Sequence, residues 1–293
     1  MTTHVSPNKH VLIAGPTASG KSSLALRIAQ AQGGIVVNAD ALQVYEGWRI
    51  LTARPSQEDE ALAPHRLYGH VPRDRPYSVG DWIRDVTPLL TQRLIIVGGT
   101  GLYFTALTEG LADIPDIPNE IRSHADTLAL EHMLADLDQV TRQKIDQANR
   151  VRVQRAWEVQ KATGRSLLEW QQVVAHPTLE MKDCTALLLR APKDWLTPRI
   201  EARFDQMLDH GVLSEAAMAL PTWNPSDPSS KAIGAKELIS HLQNGLALKD
   251  VRDAIVIATR QYAKRQRTWF NKRMGNWAQI DVSSTDLSTA LRL

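Results

Sequence analysis

The sequence predicts an α/β fold, a parallel sheet covered by helices and interrupted by a helical insertion, and three observations predict it. Short apolar runs that read as buried strands alternate with helical stretches from Val11 to about Gly110. From Ala112 the chain turns helical to about Gly164, and strand character returns only at Cys184. Gly15 to Ser22 reads GPTASGKS, which fits the pattern G-x-x-x-x-G-K-[ST] with a strand-like run before it and a helix-like run after it.

Taken in order, VLIA (Val11 to Ala14) is a buried strand and SLALRIAQA (Ser23 to Ala31) a helix. Strand character follows in IVVNAD (Ile35 to Asp40) and in RLIIVGG (Arg93 to Gly99), each succeeded by a turn and a helix or loop. This alternation is the signature of a parallel, helix-covered sheet. The prolines of ADIPDIPNE (Ala112 to Glu120) mark the entry to the insertion, CTALLLRA (Cys184 to Ala191) is the returning strand, and helices dominate from Pro198 apart from a last strand at Gln279 to Val282. The expected organisation is therefore a core in two parts, residues 1–111 and 184–293, around a helical insertion at 112–183.

Composition narrows the class. The 293 residues are ample for a large core without covalent staples, and the single cysteine, Cys184, excludes an internal disulfide or a zinc ribbon. The start MTTHVSPNKH is polar, VLIAG is too short for a signal segment, and no apolar run reaches the roughly 18 residues of a membrane span, so a cytoplasmic protein without membrane contact is expected. A net charge of +2 is only weakly basic, so any nucleic-acid footprint must be local.

The motifs supply such local chemistry. In a strand–loop–helix context, the glycines Gly15 and Gly20 let the backbone N–H groups of Thr17, Ala18 and Ser19 curl around an anion; Lys21 adds a point charge and the Ser22 hydroxyl can reach a magnesium ion. Ligands of an open α/β sheet bind beyond the carboxyl ends of its strands. NADALQVY ends one strand there, offering Asp40 and Gln43, and GGTGLYF (Gly98 to Phe104) ends another, offering Thr100 but no acidic magnesium ligand. In the last long helix Val251, Ile255, Ala258, Tyr262 and Trp269 form a packing stripe, and Arg260, Lys264 and Arg267 lie opposite. ATRQYAKRQRTWFNKR (Ala258 to Arg273) carries six basic residues and no acidic one, which suits a phosphate backbone. NRVRVQR (Asn149 to Arg155) is a second basic cluster, and together the two suggest a clamp on nucleic acid.

These blocks, with TARP, PHRLYGH, YSVGDW, PRIEARFDQML and KAIGAKE, resemble in order and over nearly the whole chain the tRNA dimethylallyltransferases. The resemblance implies a fold similar to the phosphate-loop kinases, with an insertion that closes on the anticodon arm. It implies transfer of a dimethylallyl group from dimethylallyl diphosphate to N6 of the adenosine 3′ of the anticodon, with Mg2+ as cofactor, by an enzyme expected to act as a monomer. Asp40 is the implied base, with Thr100 and Arg203 on the diphosphate. Asp40, Ala41, Leu42, Gln43, Arg122, Val151, Arg152, Val153, Gln154, Arg155, Lys231 and Lys236 are the implied tRNA contacts. Ala41, Leu51, Arg54 and Ala235 depart from the family's usual residues. Two rival classes share the phosphate loop: a small-molecule kinase, and an isopentenyltransferase acting on free adenine nucleotides.

Overall fold

Strands β2 (His10–Ala14), β3 (Ile35–Asn38), β4 (His65–Arg66), β5 (Leu94–Gly98), β6 (Cys184–Arg190) and β7 (Ala278–Asp281) form one parallel sheet in the computed structural model, which describes residues 3–173, 176–284, 287 and 291–292. Their order is β4-β3-β5-β2-β6-β7, and β1 (Thr3–His4) pairs separately with β8 (Leu291–Arg292). Ala14 and Gly98, the last residues of β2 and β5, stand side by side, and Asn38, the last of β3, pairs with Val97, so three strand ends converge on one edge. β5 is buried throughout and β2 from Val11 onward, as apolar runs in a sheet covered on both faces must be.

Alternation along the strands feeds two cores. Val11, Ile13, Ile95 and Leu187 pack with Leu24, Ala25 and Ile28 of α1 (Lys21–Gln32), whereas Leu12, Ala14, Ile96 and Leu188 pack with Trp82, Phe104 and Phe270. Trp82 and Phe104 come from α3 (Val79–Val86) and α4 (Gly101–Glu109); α2 (Gln57–Leu62) is a short helix closed by a capping box at Ser56.

The chain divides into two compact units, 1–108 with 178–293, and 109–177. The second is shorter at its C-terminal side than the 112–183 read from sequence, because Leu179 is already buried in the sheet unit and its N–H donates to the Leu107 carbonyl at 3.0 Å. The smaller unit holds α5 (Asn119–Thr127), α6 (Leu130–Asp136), α7 (Gln139–Lys144), α8 (Arg150–Thr163) and α9 (Leu167–Gln171). Its own core is Ala125, Met133, Leu137, Val153, Ala156 and Trp157.

The sheet unit then gains α10 (Lys193–Asp209), α11 (Val212–Ala219), α12 (Ala235–Asn244) and α13 (Leu248–Arg273). α10 and α13 are joined by a two-pronged pair, Arg252 Nε and Nη2 donating to the Asp205 carboxylate at 2.6 and 2.7 Å. No helix among the described residues is long and apolar enough to cross a membrane.

Candidate active site

The phosphate loop owes its shape to two glycines. A Cβ on Gly15 would stand 2.9 Å from Ser19 Oγ and 3.0 Å from Leu189 Cβ, and Gly20 caps α1 at a φ of 85°. Ala18 adopts a φ of 61°, and the Ser19 N–H donates to the Pro16 carbonyl. The loop therefore ends on the positive end of a helix, the natural seat of an anion. Lys21 opens that helix with only 8% of its surface exposed, its Nζ donating to the Pro16 carbonyl at 3.3 Å. Burial pushes its pKa down to about 8; Arg203 adds to the depression, and Asp40 opposes it. Arg203, on α10, donates to Thr17 Oγ1 at 3.1 Å, and burial lowers its pKa also, with Asp40 again opposing. Two desolvated cations against one carboxylate make a site that gains from an added anion.

Asp40 lies two residues past the end of β3 and is set there by a buried asparagine. Asn38 Oδ1 accepts the Asp40 N–H at 2.8 Å, and its Nδ2 donates to the carbonyls of Asp40 and Leu67, both at 3.0 Å. Asp40 Oδ1 accepts the Leu42 N–H at 3.0 Å, whereas Oδ2 accepts no hydrogen bond among the described residues. A Cβ on Gly99 would approach Oδ2 to 3.4 Å, so the missing side chain leaves that oxygen uncovered. The Thr100 hydroxyl accepts the Ala41 N–H at 2.9 Å and lies against Tyr262. Thr100, expected on the diphosphate, thus also helps to fix the Asp40 turn.

The glycines of GGTG serve close approach. Cβ atoms on Gly98, Gly99 and Gly101 would stand 2.0 Å from the Ala39 carbonyl oxygen, 2.1 Å from Gln266 Nε2 and 2.1 Å from Trp269 Cδ1. Gln266, 5% exposed on α13, joins both loops: its Oε1 accepts the Thr17 N–H at 2.8 Å and its Nε2 donates to the Gly99 carbonyl at 3.0 Å. Tyr262, one turn earlier, is held neutral by burial and by the Asp40 charge. Gln266 was not anticipated and Tyr262 was read as packing; a polar pair four residues apart within an apolar stripe was the available signal.

A single cleft gathers these groups. Thr17, Lys21, Asp40 and Arg203 form its polar end, and Leu51, Ile200, Phe204, Met207, Ile233 and Ile255 give it an apolar wall. Leu42 and Gln43 also line it, although Gln43 Nε2 already donates to the Thr52 carbonyl at 2.9 Å. No group of three His, Cys, Asp or Glu side chains able to hold a metal occurs among the described residues. Magnesium held largely by substrate phosphates needs none. The Ser22 hydroxyl, exposed in the first turn of α1, and the buried, unpartnered Ser19 Oγ give the loop a fitting oxygen set.

The anticipated RNA contacts fall into two classes. Arg122, Val151 and Arg152 are exposed, as are Lys231 and Lys236, and Arg155 is half-buried with its pKa lowered by burial. Val153 is a correction: with no exposed surface, it packs with Ala156 and Trp157 on the inner face of α8, so its side chain cannot meet RNA. The Gln154 amide donates to Asp126 Oδ1 and Glu158 Oε1. The α13 stripe is also corrected. Val251, Ile255, Val256, Ala263, Gln266 and Phe270 are its buried residues, with Ala258, Tyr262 and Trp269 half-buried beside them. Arg260 and Arg267, read as a free face, are half-buried and with Lys264 and Lys193 line a groove of about 630 Å³ between α10 and α13.

Comparison with known proteins agrees with this geometry. Residues 43–273 match the family model described as IPP transferase, and residues 8–74 match one described as isopentenyl transferase. A tRNA dimethylallyltransferase of a Ruegeria species is 59% identical over 272 residues, covering 92% of this chain and 94% of its own length. One from Dinoroseobacter shibae is 58% identical over 287 residues, covering 96% and 97%. Among solved structures, the tRNA isopentenylpyrophosphate transferase of Bacillus halodurans is similar at a TM-score of 0.69 and 29% identity, over 96% of this chain and 92% of that one. A eukaryotic dimethylallyltransferase acting on tRNA gives a TM-score of 0.81 at 26% identity, over 96% of this chain and 75% of its own. Signature blocks, strand-end geometry and near full-length identity together place the chain in the family of tRNA dimethylallyltransferases.

Proposed function

We propose that this protein transfers a dimethylallyl group from dimethylallyl diphosphate to N6 of the adenosine 3′ of the anticodon in tRNA, in the cytoplasm and as a monomer. The observation that carries the reading is the division of one cleft. A buried ammonium, Lys21, a half-buried guanidinium, Arg203, and an uncovered carboxylate oxygen of Asp40 line it together with an apolar wall. An isoprenoid diphosphate has the same division.

The chemistry asks for this arrangement. The exocyclic amine of adenine is a poor nucleophile because its lone pair is delocalised into the ring, whereas an allylic C–O bond breaks readily once the leaving group is neutralised. Catalysis therefore concentrates on the diphosphate and on alignment. In this reading the amides of Ala18, Gly20 and Lys21, the Lys21 ammonium and the Arg203 guanidinium hold the diphosphate. Ser22 would hold the magnesium ion, which when bound offsets phosphate charge. The N6 nitrogen forms the new C–N bond as the C–O bond breaks and pyrophosphate departs, and Asp40 Oδ2 takes the amine proton. Thr100 and Asn38 keep that carboxylate in place. The adenosine, stacked within its loop, must be extruded to reach the cleft. Arg152, Arg155, Lys231, Lys236 and the cations of the α10–α13 groove are assigned to tRNA phosphates. A phosphoryl-transfer site would ordinarily place an acidic magnesium ligand where β5 runs into GGTG.

Nucleoside analysis of tRNA from cells with and without the protein tests the reading. N6-dimethylallyladenosine, or a product built on it, should vanish with the protein and return when it is restored; unchanged nucleosides would reject it.

A further inference from the structure

We propose that Leu51 sets the length of isoprenoid chain that the cleft accepts, admitting five carbons and refusing ten. The proposal rests on the reading that the cleft takes an isoprenoid diphosphate. Leu51 is 7% exposed, and what it exposes lines the apolar part of the cleft beside Ile255 and Met207. A Cβ added to Gly234 would stand 3.0 Å from Ile255 Cδ1 and 3.1 Å from Leu51 Cδ1, so these two side chains close together over bare backbone. Both belong to one packed core with Trp48, Val212, Ala235 and Leu238. The room left in the cleft is about 80 Å³.

The wall is also held rigidly. The buried Glu215 carboxylate accepts the N–H groups of Arg49 and Ile50 on Oε1, at 2.6 and 2.8 Å, and that of Leu51 on Oε2 at 2.9 Å. Ala53 N–H to the Ile50 carbonyl and Arg54 N–H to the Arg49 carbonyl, both 2.9 Å, fold the segment on itself. Charge-assisted bonds to three successive amides keep Leu51 from retreating before a longer chain. Shortening the side chain, by contrast, leaves an apolar void that a ligand can fill.

The test compares geranyl diphosphate with dimethylallyl diphosphate as donors to tRNA, using the full chain with magnesium. The native protein should strongly prefer the five-carbon donor. Leu51→Ala should raise the geranyl-to-dimethylallyl ratio of kcat/KM by roughly 10–200-fold, the range that one hydrophobic contact commands in a pocket. Inhibition by inorganic pyrophosphate should stay within about threefold, since the phosphate loop is untouched. Leu51→Val, a milder truncation, should move the ratio the same way by less, and serves if the alanine variant fails to fold. Equal use of both donors by the native protein, or an unchanged ratio in a folded variant, overturns the proposal and leaves the transferase reading standing. If the native protein transfers neither donor yet binds pyrophosphate, the transferase reading fails and the proposal fails with it.

Discussion

The phosphate loop and helix α13 meet at one hydrogen bond, Thr17 N–H to Gln266 Oε1, yet they are built on opposite principles. The loop works through its backbone: Gly15 has no room for a side chain and Gly20 needs a left-handed φ, so its geometry is written as residue identities at fixed spacing. α13 works through side chains that point different ways from an ordinary helix. Thr259 and Tyr262 face the cleft, Gln266 pins two loops, and Arg260, Lys264 and Arg267 line a groove on another side. Backbone-built sites announce themselves locally; sites completed by a distant helix become visible only when the fold brings that helix in.

The sharpest way to break this comparison is to remove chemistry while leaving the loop intact. Asp40→Asn should lower kcat by about 10²-fold or more, the usual worth of a general base, with pyrophosphate binding nearly unchanged. Lys21→Ala should weaken both. Steady-state kinetics with pyrophosphate inhibition separate the two, and near-normal turnover in Asp40→Asn would remove the base from the mechanism.

Next in size is the groove. Replacing Arg260, Lys264 and Arg267 with Gln should weaken tRNA binding and flatten the dependence of log K on log salt by up to about 3 units, if each meets one phosphate. Donor binding should stay constant. An unaltered salt slope would make the groove a solvated face.

The joint itself is worth less. Gln266→Leu leaves the Thr17 N–H and the Gly99 carbonyl without their partner, and an unsatisfied buried group costs about 1–3 kcal/mol. Pyrophosphate affinity should fall about tenfold, with the effect on KM exceeding that on kcat. Equal affinity would mean that the loop holds its shape without α13.

The smallest expected effect is a shift with pH. Burial lowers the Lys21 pKa to about 8, well under its ordinary 10.5, so the folded protein gives up this proton before the unfolded chain does. Between those two values the ligand-free protein should gain stability as pH rises. Over the same range pyrophosphate affinity should fall, because the ammonium is lost. Arg203→Gln removes the repulsion that adds to this depression, so the fall should begin at higher pH. Lys21→Met, measured in parallel, reports the titration of pyrophosphate itself.

Much of the fold was legible. The strand-like runs at Val11, Ile35, Leu94 and Cys184 are strands because parallel strands buried on both faces must be continuously apolar. The edge strand His65–Arg66, two residues long, carries no such run. Within the candidate site, Lys21 and Asp40 were readable from motif and strand end, and Arg203 through a family segment. Glu215, Leu51 and Gln266 were not, because their roles depend on α10 to α13 folding back over the strand ends. Val153 was misassigned for a related reason: a basic run names a helix, and only packing decides which of its faces is turned inward.

The fate of the donor separates prenyl transfer from phosphoryl transfer most directly. Purified protein incubated with magnesium, tRNA and dimethylallyl diphosphate or ATP should release pyrophosphate one-to-one with N6-dimethylallyladenosine, and ATP should act only as an unreactive competitor. tRNA-dependent ADP formation without transfer from the allylic donor would contradict it, and with it the roles given to Asp40 and the divided cleft.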